Sequence, residues 1–386
     1  MRRSLALAAL ALASFSVGAS EYVLTGQLDL VSEGLGASEA AVGQLVTVFS
    51  LTYGILTPVL VAVLARHSRR TVLIAALGVF AATNLISYGM PDFWWIGAAR
   101  IVMAASAGVT VVTALGMVRH ILPADRHGRG IATVQTGFTA ALVLGVPAGR
   151  VIAETLGWRS TFLVLAGIGA LVALLMRLAV PDVAGSATIP LTAQLGLLGR
   201  TPVVMGLLVT LVWLGGYTIL YTYLSPYLVD TLRLEGSAVT VVLFFFGLAS
   251  MIGTQLGGRL ADKAGYRRAL IVTKLAHVAA LVTLPLLSSV GGAAIAALLL
   301  WSLAAWGSAA GQQLRLADLD EDHADTLLGL NQSVMQLAIA AGSAVGGGIL
   351  GALGVEALPW VAASTVAVSL ILLLAVRATG GIRAAG

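Results

Sequence analysis

The chain has 386 residues, of which 59% are hydrophobic and only 10% are charged, and its mean hydropathy is +0.98. A soluble protein needs a polar surface that so few polar residues could not supply. The net charge of +5 does not indicate nucleic-acid binding, because the basic residues are spread through short loops. The absence of cysteine excludes disulfides, thiolate metal sites and cysteine catalysis.

Long apolar segments recur along the chain and are separated by short charged or Gly/Pro-containing turns. A helix needs about 20 apolar residues to cross the ~30 Å core of a bilayer. The segments long enough to do so lie at about 5–28, 40–65, 71–90, 93–118, 130–153, 160–180, 203–229, 237–261, 269–289, 291–314, 327–352 and 357–376. We therefore predict an all-α integral membrane protein with about twelve transmembrane helices. It is expected to consist of an N-terminal six-helix bundle (1–180), a cytoplasmic linker (181–201) and a C-terminal six-helix bundle (202–386).

The first apolar segment resembles a secretory signal peptide because Arg2 and Arg3 precede it. The apolar run nevertheless continues past any cleavage point to about Leu28. We expect a retained first helix, with a cleaved signal as the alternative.

The basic residues predict the orientation of the chain in the membrane. With the N-terminus inside, most of the 22 Lys and Arg residues fall in cytoplasmic loops, as the positive-inside rule requires. Both termini are therefore expected to be cytoplasmic.

The two halves repeat one another at a nearly constant offset. Asp262, in the loop after the eighth helix, lies 197 positions after Ala65, in the loop after the second. Gly329, which opens the eleventh helix, lies 199 positions after Gly130, which opens the fifth. Parallel repeats of this kind place a substrate site near the midplane of the membrane.

Residues 258–268, the signature loop, read Gly-Arg-Leu-Ala-Asp-Lys-Ala-Gly-Tyr-Arg-Arg and resemble the signature of the major facilitator superfamily. The resemblance implies a cytoplasmic gate in which Asp262 pairs with neighbouring cations. The gate residues are Gly258, Arg259, Asp262, Gly265, Arg267 and Arg268. The corresponding loop of the first half has Ala65 in place of the family's Asp and Ser68 in place of its Gly. We therefore expect the charge latch in the second half alone.

Three further segments resemble proton-driven exporters of that superfamily. Arg100 opens a segment similar to the fourth-helix motif of the drug:proton antiporter group. Gly145, Pro147 and Gly149 form a Gly-Val-Pro-Ala-Gly sequence that resembles the fifth-helix antiporter motif, in the variant common among sugar and purine exporters. Glu21 opens Glu-Tyr-Val-Leu-Thr-Gly, which resembles the acidic first helix of arabinose-efflux transporters. The resemblance implies efflux coupled to protons.

Ionisable residues inside the membrane are functional candidates because each costs a few kcal/mol to insert. At about 1.5 Å per residue, Glu21 and Arg100 lie at similar depth and are expected to pair. We predict that Glu21 carries the exchanged proton, the alternative being a static ion pair. Asp29 is a further proton-coupling candidate or a solvated helix cap. Lys274 is expected to extend its ammonium to the membrane surface.

The expected substrate-binding residues are aromatic or polar side chains in the spanning segments. Trp213, Tyr217 and Tyr221 recur at helical spacing on one face of the seventh helix, which lines the pathway in the superfamily. Tyr53, Asn84 and Trp306 are the other candidates. These side chains would suit a flat or amphipathic substrate, the alternative being a lipid-facing belt or helix packing.

Gly342 and Gly346 lie four residues apart in the eleventh predicted helix. Residues 346–351 match a dinucleotide-binding pattern by letters alone, but no strand precedes them. We predict close helix packing at these glycines instead.

The sequence favours a monomeric proton-coupled efflux transporter for a drug-like or small metabolite substrate in a bacterial inner membrane. It would act by alternating access, without a metal or cofactor and without nucleic acid. The alternatives are a sugar or nucleobase exporter, and an uptake permease or facilitator without proton coupling. No catalytic cluster indicates an enzyme.

Overall fold

A computed structural model describes residues 2–123, 127–185, 196–320 and 323–375, and every regular element among them is helical. Residues 186–195 of the predicted linker lie outside these ranges. The principal helices are α1 (Arg2–Gly26), α2 (Leu28–Leu35), α3 (Glu39–Leu64), α4 (Arg69–Tyr88), α5 (Phe93–Ile121), α6 (His127–Ala140), α7 (Val146–Leu156), α8 (Ser160–Ala179), α9 (Thr201–Tyr221), α10 (Ser237–Ala264), α11 (Tyr266–Leu286), α12 (Gly291–Ala317), α13 (Ala324–Leu353) and α14 (Leu358–Ala375).

Twelve helical segments of the described chain are long and apolar enough to cross a membrane. This confirms the predicted fold class and helix count. One span, Gly130–Leu156, joins α6 to α7 through the π-helical turn Ala141–Gly145. The short amphipathic helix α2 was not predicted as a separate element, because it continues the apolar run of α1.

The chain divides into two compact units. The first comprises Met1–Ile189 with Glu235–Phe244, and in it α1 packs against α5, α6 and α8. The second comprises Pro190–Leu234 with Phe245–Gly386, and in it α9 packs against α13 and α14 while α11 packs against α12.

Close packing of α9 on α13 depends on two glycines. A Cβ atom on Gly342 would lie 2.4 Å from the carbonyl oxygen of Gly215, and one on Gly346 would lie 2.6 Å from that of Ile219. Both distances are shorter than van der Waals contact, so neither position accommodates a side chain without movement of the helices. The predicted helix-packing role of these glycines is confirmed.

The loop between α3 and α4 obtains a carboxylate from a distant part of the chain. Ser68 caps α4, and its hydroxyl donates a hydrogen bond of 2.5 Å to Asp182, which follows α8. Arg70 pairs with the same carboxylate at 3.2 Å. Asp182 thus supplies a negative charge where Ala65 replaces the family's acid. This carboxylate comes from residues that follow the bundle, and the expectation of a charge latch in the second half alone stays a prediction.

Most of the signature loop is helical, and the connection between α10 and α11 within it is a single residue. Gly265 alone separates the two helices and has φ of 79°, a left-handed conformation that favours glycine. Asp262 is exposed in the last turn of α10 and forms no ion pair with any described residue. The expected pairing with its basic neighbours is absent from this arrangement, and its gating role stays a prediction.

Replacing Gly342 should separate α9 from α13. We expect Gly342→Ala to lower the free energy of unfolding by about 1–3 kcal/mol, because the added methyl group meets backbone. Gly348→Ala is the matched control in the same helix, since a Cβ there has no neighbour within 4 Å. Thermal unfolding of the purified variants in detergent measures both. Equal unfolding temperatures for the two variants would contradict this packing.

Candidate functional site

Glu21 lies in the interior of the first unit. Its side chain is 1% exposed, although the α1 segment around it is otherwise apolar or small. The Gly-Val-Pro-Ala-Gly segment packs against the same part of α1. A Cβ on Gly145 would lie 3.1 Å from that of Ala19, and one on Gly149 would lie 2.5 Å from a methyl group of Val23. The two glycines therefore contact α1 on either side of Glu21 in sequence.

Pro147 follows a change in helix geometry. It has no N–H group to continue the hydrogen-bond pattern of a helix. The turn Ala141–Gly145 immediately before it is π-helical, and α7 then begins with Pro147 in its first two positions. The wider turn accommodates the proline within a span that remains helical.

Arg100 is fully buried and connects three helices of the first unit. From α5, its Nη1 donates a hydrogen bond of 2.7 Å to the carbonyl of Ser20 in α1, and its Nε donates one of 3.5 Å to the carbonyl of Leu45 in α3. Its guanidinium carbon lies 4.1 Å from the centre of the Phe49 ring, a cation–π geometry. Its Nη2 is buried and has no hydrogen-bond partner among the described residues.

Glu21, Arg100, Tyr53 and Phe49 form one group, here called the Glu21 cluster. Glu21 interacts electrostatically with both the Arg100 guanidinium and the Tyr53 hydroxyl. The hydrogen bond from Arg100 goes to Ser20, the residue before Glu21. Tyr53 is 6% exposed and its ring lies 6.3 Å from that of Phe49. The cluster thus combines a titratable carboxylate, a permanent cation and a phenol in a buried environment.

Asp29 belongs to a different ion pair. Its carboxylate lies 2.5 Å from Nη1 of Arg150, whose Nε lies 2.6 Å from Glu154. The same Nη1 approaches the carbonyl of Gly26 at 3.4 Å, which ties α7 to the end of α1. Asp29 is therefore a paired carboxylate in this structure, and its part in coupling stays a prediction.

Asn84 is fully buried on α4, and its amide nitrogen donates to the carbonyl of Phe80 in its own helix. Its Oδ1 has no hydrogen-bond partner among the described residues. No described contact joins Asn84 to the Glu21 cluster.

The second unit contains an aromatic cluster of five rings: Tyr217, Tyr221, Phe246, Trp301 and Trp306. Tyr217 and Tyr221 stack at 4.9 Å between ring centres, and Tyr221 stacks on Phe246 at 5.8 Å. Trp306 donates a hydrogen bond of 3.2 Å to the Tyr217 hydroxyl. Three of the four predicted aromatic residues of this half belong to this cluster, whereas Trp213 contacts Lys274. Trp213, Tyr217 and Tyr221 of α9 are each at most 5% exposed. They are therefore not a lipid-facing belt.

Lys274 and His277 lie against this cluster on α11, and the expectation for Lys274 was wrong. It does not reach the membrane surface: it is fully buried, donates 3.0 Å to the Ser369 hydroxyl, and lies 4.9 Å from the centre of the Trp213 ring. His277 is also fully buried and accepts a hydrogen bond of 2.9 Å from the Trp301 indole. The ammonium cannot extend to the membrane surface because the face of α11 that carries Lys274 packs against α9 and α14.

One charged contact lies outside the membrane spans, in the loop between α12 and α13. A hydrogen bond with His323 at 3.0 Å, together with an ion pair to Arg200, holds the pKa of the Asp320 carboxyl below its usual value. The bond is present at neutral pH and is lost as the pH falls through that lowered pKa. Asp320 thus pairs with Arg200, which precedes α9.

A sequence profile of the Major Facilitator Superfamily matches residues 10–343. The chain belongs to the Major Facilitator Superfamily. An uncharacterized MFS-type transporter of Bacillus subtilis, YbcL, is 41% identical over 94% of this chain and 93% of its own length. The inner membrane transport protein YdhP of Escherichia coli is 27% identical over 96% of each chain. Among solved structures, the D-xylose–proton symporter superposes with a TM-score of 0.78 at 16% identity, covering 95% of this chain and 96% of its own.

Membership of the superfamily makes this chain a multi-pass membrane transporter rather than an enzyme. In this transporter, the structure brings together Glu21, Arg100 and Tyr53 in one unit and three of the aromatic candidates in the other. Sequence reasoning missed Phe49, Phe246 and Trp301, whose contacts with Arg100, Tyr221 and Tyr217 join helices that are distant in sequence.

The buried guanidinium of Arg100 should not be replaceable by an ammonium. We expect Arg100→Lys to lower the free energy of unfolding by about 1.5–3 kcal/mol, the contribution of a charged hydrogen bond, because lysine lacks the fork that reaches two carbonyls. Arg177→Lys, at an exposed position of α8, is the control. Thermal unfolding in detergent provides the measurement. Wild-type stability of Arg100→Lys would show that the two backbone contacts are dispensable.

Proposed function

We propose that this transporter exports a drug-like or small metabolite substrate in exchange for protons by alternating access. The observation that carries the proposal is the Glu21 cluster, a fully buried carboxylate beside a fully buried arginine. A titratable group costs free energy to insert in this position, and proton coupling gives a functional reason to keep it.

The chemistry of the cluster suits a proton carrier. Burial favours the neutral form of a carboxyl group, whereas the nearby Arg100 favours the ionised form. A small change in the distance between them therefore shifts the balance between the two forms. Arg100 itself keeps its proton at any physiological pH and provides the fixed charge.

The helix that carries Gly145 and Gly149 can transmit movement to the proton carrier. Its two glycines contact α1 at Ala19 and Val23, so a shift of α7 relative to α1 must move the turn that bears Glu21. This packing supports the antiporter assignment. The aromatic cluster of the second unit supports a flat or amphipathic substrate.

We place the transporter in a bacterial inner membrane with both termini in the cytoplasm. The YdhP relative is named as an inner membrane protein, and the basic residues lie mostly in loops on the side of the N-terminus. The signature loop with Asp262 then lies on the cytoplasmic side, where it would act as the gate together with Gly258, Arg259, Gly265, Arg267 and Arg268.

Proton exchange can be measured in everted membrane vesicles that hold an acidic interior. We expect addition of an exported substrate to release protons through the wild-type transporter. Glu21→Gln should abolish this release, because the amide cannot bind and release a proton at the same position. Glu33→Gln, which makes the same change at an exposed residue of α2, should release protons like the wild type.

Protein level and unfolding temperature of both variants must match the wild type for the comparison to hold. Normal substrate-dependent proton release by Glu21→Gln would exclude Glu21 as the proton carrier. Substrate movement through the wild type with no proton movement would instead identify a facilitator.

A further inference from the structure

Lys274 is a buried lysine without an acidic partner. It is fully buried in the second unit and forms no ion pair with any described residue. Its ammonium donates one hydrogen bond, to the hydroxyl of Ser369, which in turn donates to the carbonyl of Val209. An ammonium group carries three donors, so two are not used by hydrogen bonds to the described chain.

The groups that surround Lys274 do not compensate its charge. α9 contributes the Trp213 ring and α14 contributes Ser369, while His277 and Arg315 are the nearest groups with electrostatic influence. Arg315 is itself a cation, and its Nη1 is buried without a hydrogen-bond partner. A buried charge without a counterion costs several kcal/mol, so this environment favours the arrival of an anion.

Two neighbouring donors are also unsatisfied. Trp213 Nε1 is buried without a hydrogen-bond partner among the described residues. His277 accepts the Trp301 bond at Nε2, so the proton of the neutral ring is on Nδ1, which is likewise buried and without a described partner. Buried polar groups are normally hydrogen-bonded, and spare donor capacity on Lys274, Trp213 and His277 indicates an absent acceptor.

We propose that Lys274 and the aromatic cluster form an anion-binding subsite, and that the exported substrate is a flat aromatic molecule with a carboxylate or a comparable oxyanion. The inference rests on the proposed export function and names the substrate class. Lys274 pairs with the anionic group, while rings such as Tyr217 and Tyr221 stack against the flat part. Trp213 lies at the junction, where its ring already contacts the ammonium.

Equilibrium binding to the purified full-length protein in lipid nanodiscs tests this assignment. The probes are two matched pairs, indole-3-acetate with indole-3-acetamide and benzoate with benzamide, measured by calorimetry at neutral pH. We expect each acid to bind at least about tenfold more tightly than its amide, as a charged hydrogen bond implies. Lys274→Met should remove the preference, whereas Lys274→Arg, which keeps the charge, should retain it.

The chain offers a matched control, because Lys263 is its one other lysine and is exposed in the signature loop. Lys263→Met should keep the preference for the acid. The proposal is overturned if wild type binds neither acid, if it binds acid and amide equally, or if the preference survives in Lys274→Met. Loss of proton release in Lys274→Met vesicles with an unchanged acid preference would make Lys274 a proton carrier instead.

The anion preference and the proton exchange are tested by separate experiments. Binding is measured at equilibrium without a pH gradient, so failure of the anion preference leaves proton exchange through Glu21 untouched. Conversely, unaltered proton release by Glu21→Gln would remove the proposed coupling while the acid preference of Lys274 persisted.

Discussion

Arg100 carries a permanent charge in the interior of a helical bundle, and three helices provide what that charge requires. Backbone carbonyls of Ser20 and Leu45 accept its hydrogen bonds and Phe49 offers its ring face. Because lipid supplies no water to hydrate a guanidinium, the first unit must hold α1, α3 and α5 together around it. The same contacts fix the part of α1 that bears Glu21. The stability of this unit and the proposed proton exchange therefore depend on one side chain.

The second unit meets the same constraint differently. Lys274 has a serine hydroxyl and an aromatic ring but no carboxylate, and its neighbours include further unsatisfied donors. The first unit thus satisfies most of its buried charge internally, whereas the second leaves a cation for an external partner. This difference supports a division in which one unit carries the proton and the other recognises the substrate.

The fold followed from the sequence because lipid imposes a simple length and composition rule. The observed spans differ from the predicted ones by only a few residues, except that the seventh ends at Tyr221 instead of about 229. Glu21, Arg100 and Tyr217 could be selected because polar or periodic residues stand out in apolar helices. Lys274 was misjudged because its depth depends on packing against α9 and α14, which spacing along α11 does not encode. Asp182 was missed as the partner of Ser68 because the acid that the loop itself lacks comes from a different segment of the chain.

The central claim is that protonation of Glu21 and binding of substrate exclude one another. Its most direct test is the pH dependence of the dissociation constant of an exported substrate, compared between wild type and Glu21→Gln. If one proton competes with the substrate, linkage requires the wild-type affinity to decrease as the pH is lowered, by up to about tenfold per pH unit. The glutamine variant, which mimics the protonated state, should bind weakly at every pH. A variant that keeps the wild-type pH dependence would contradict the account.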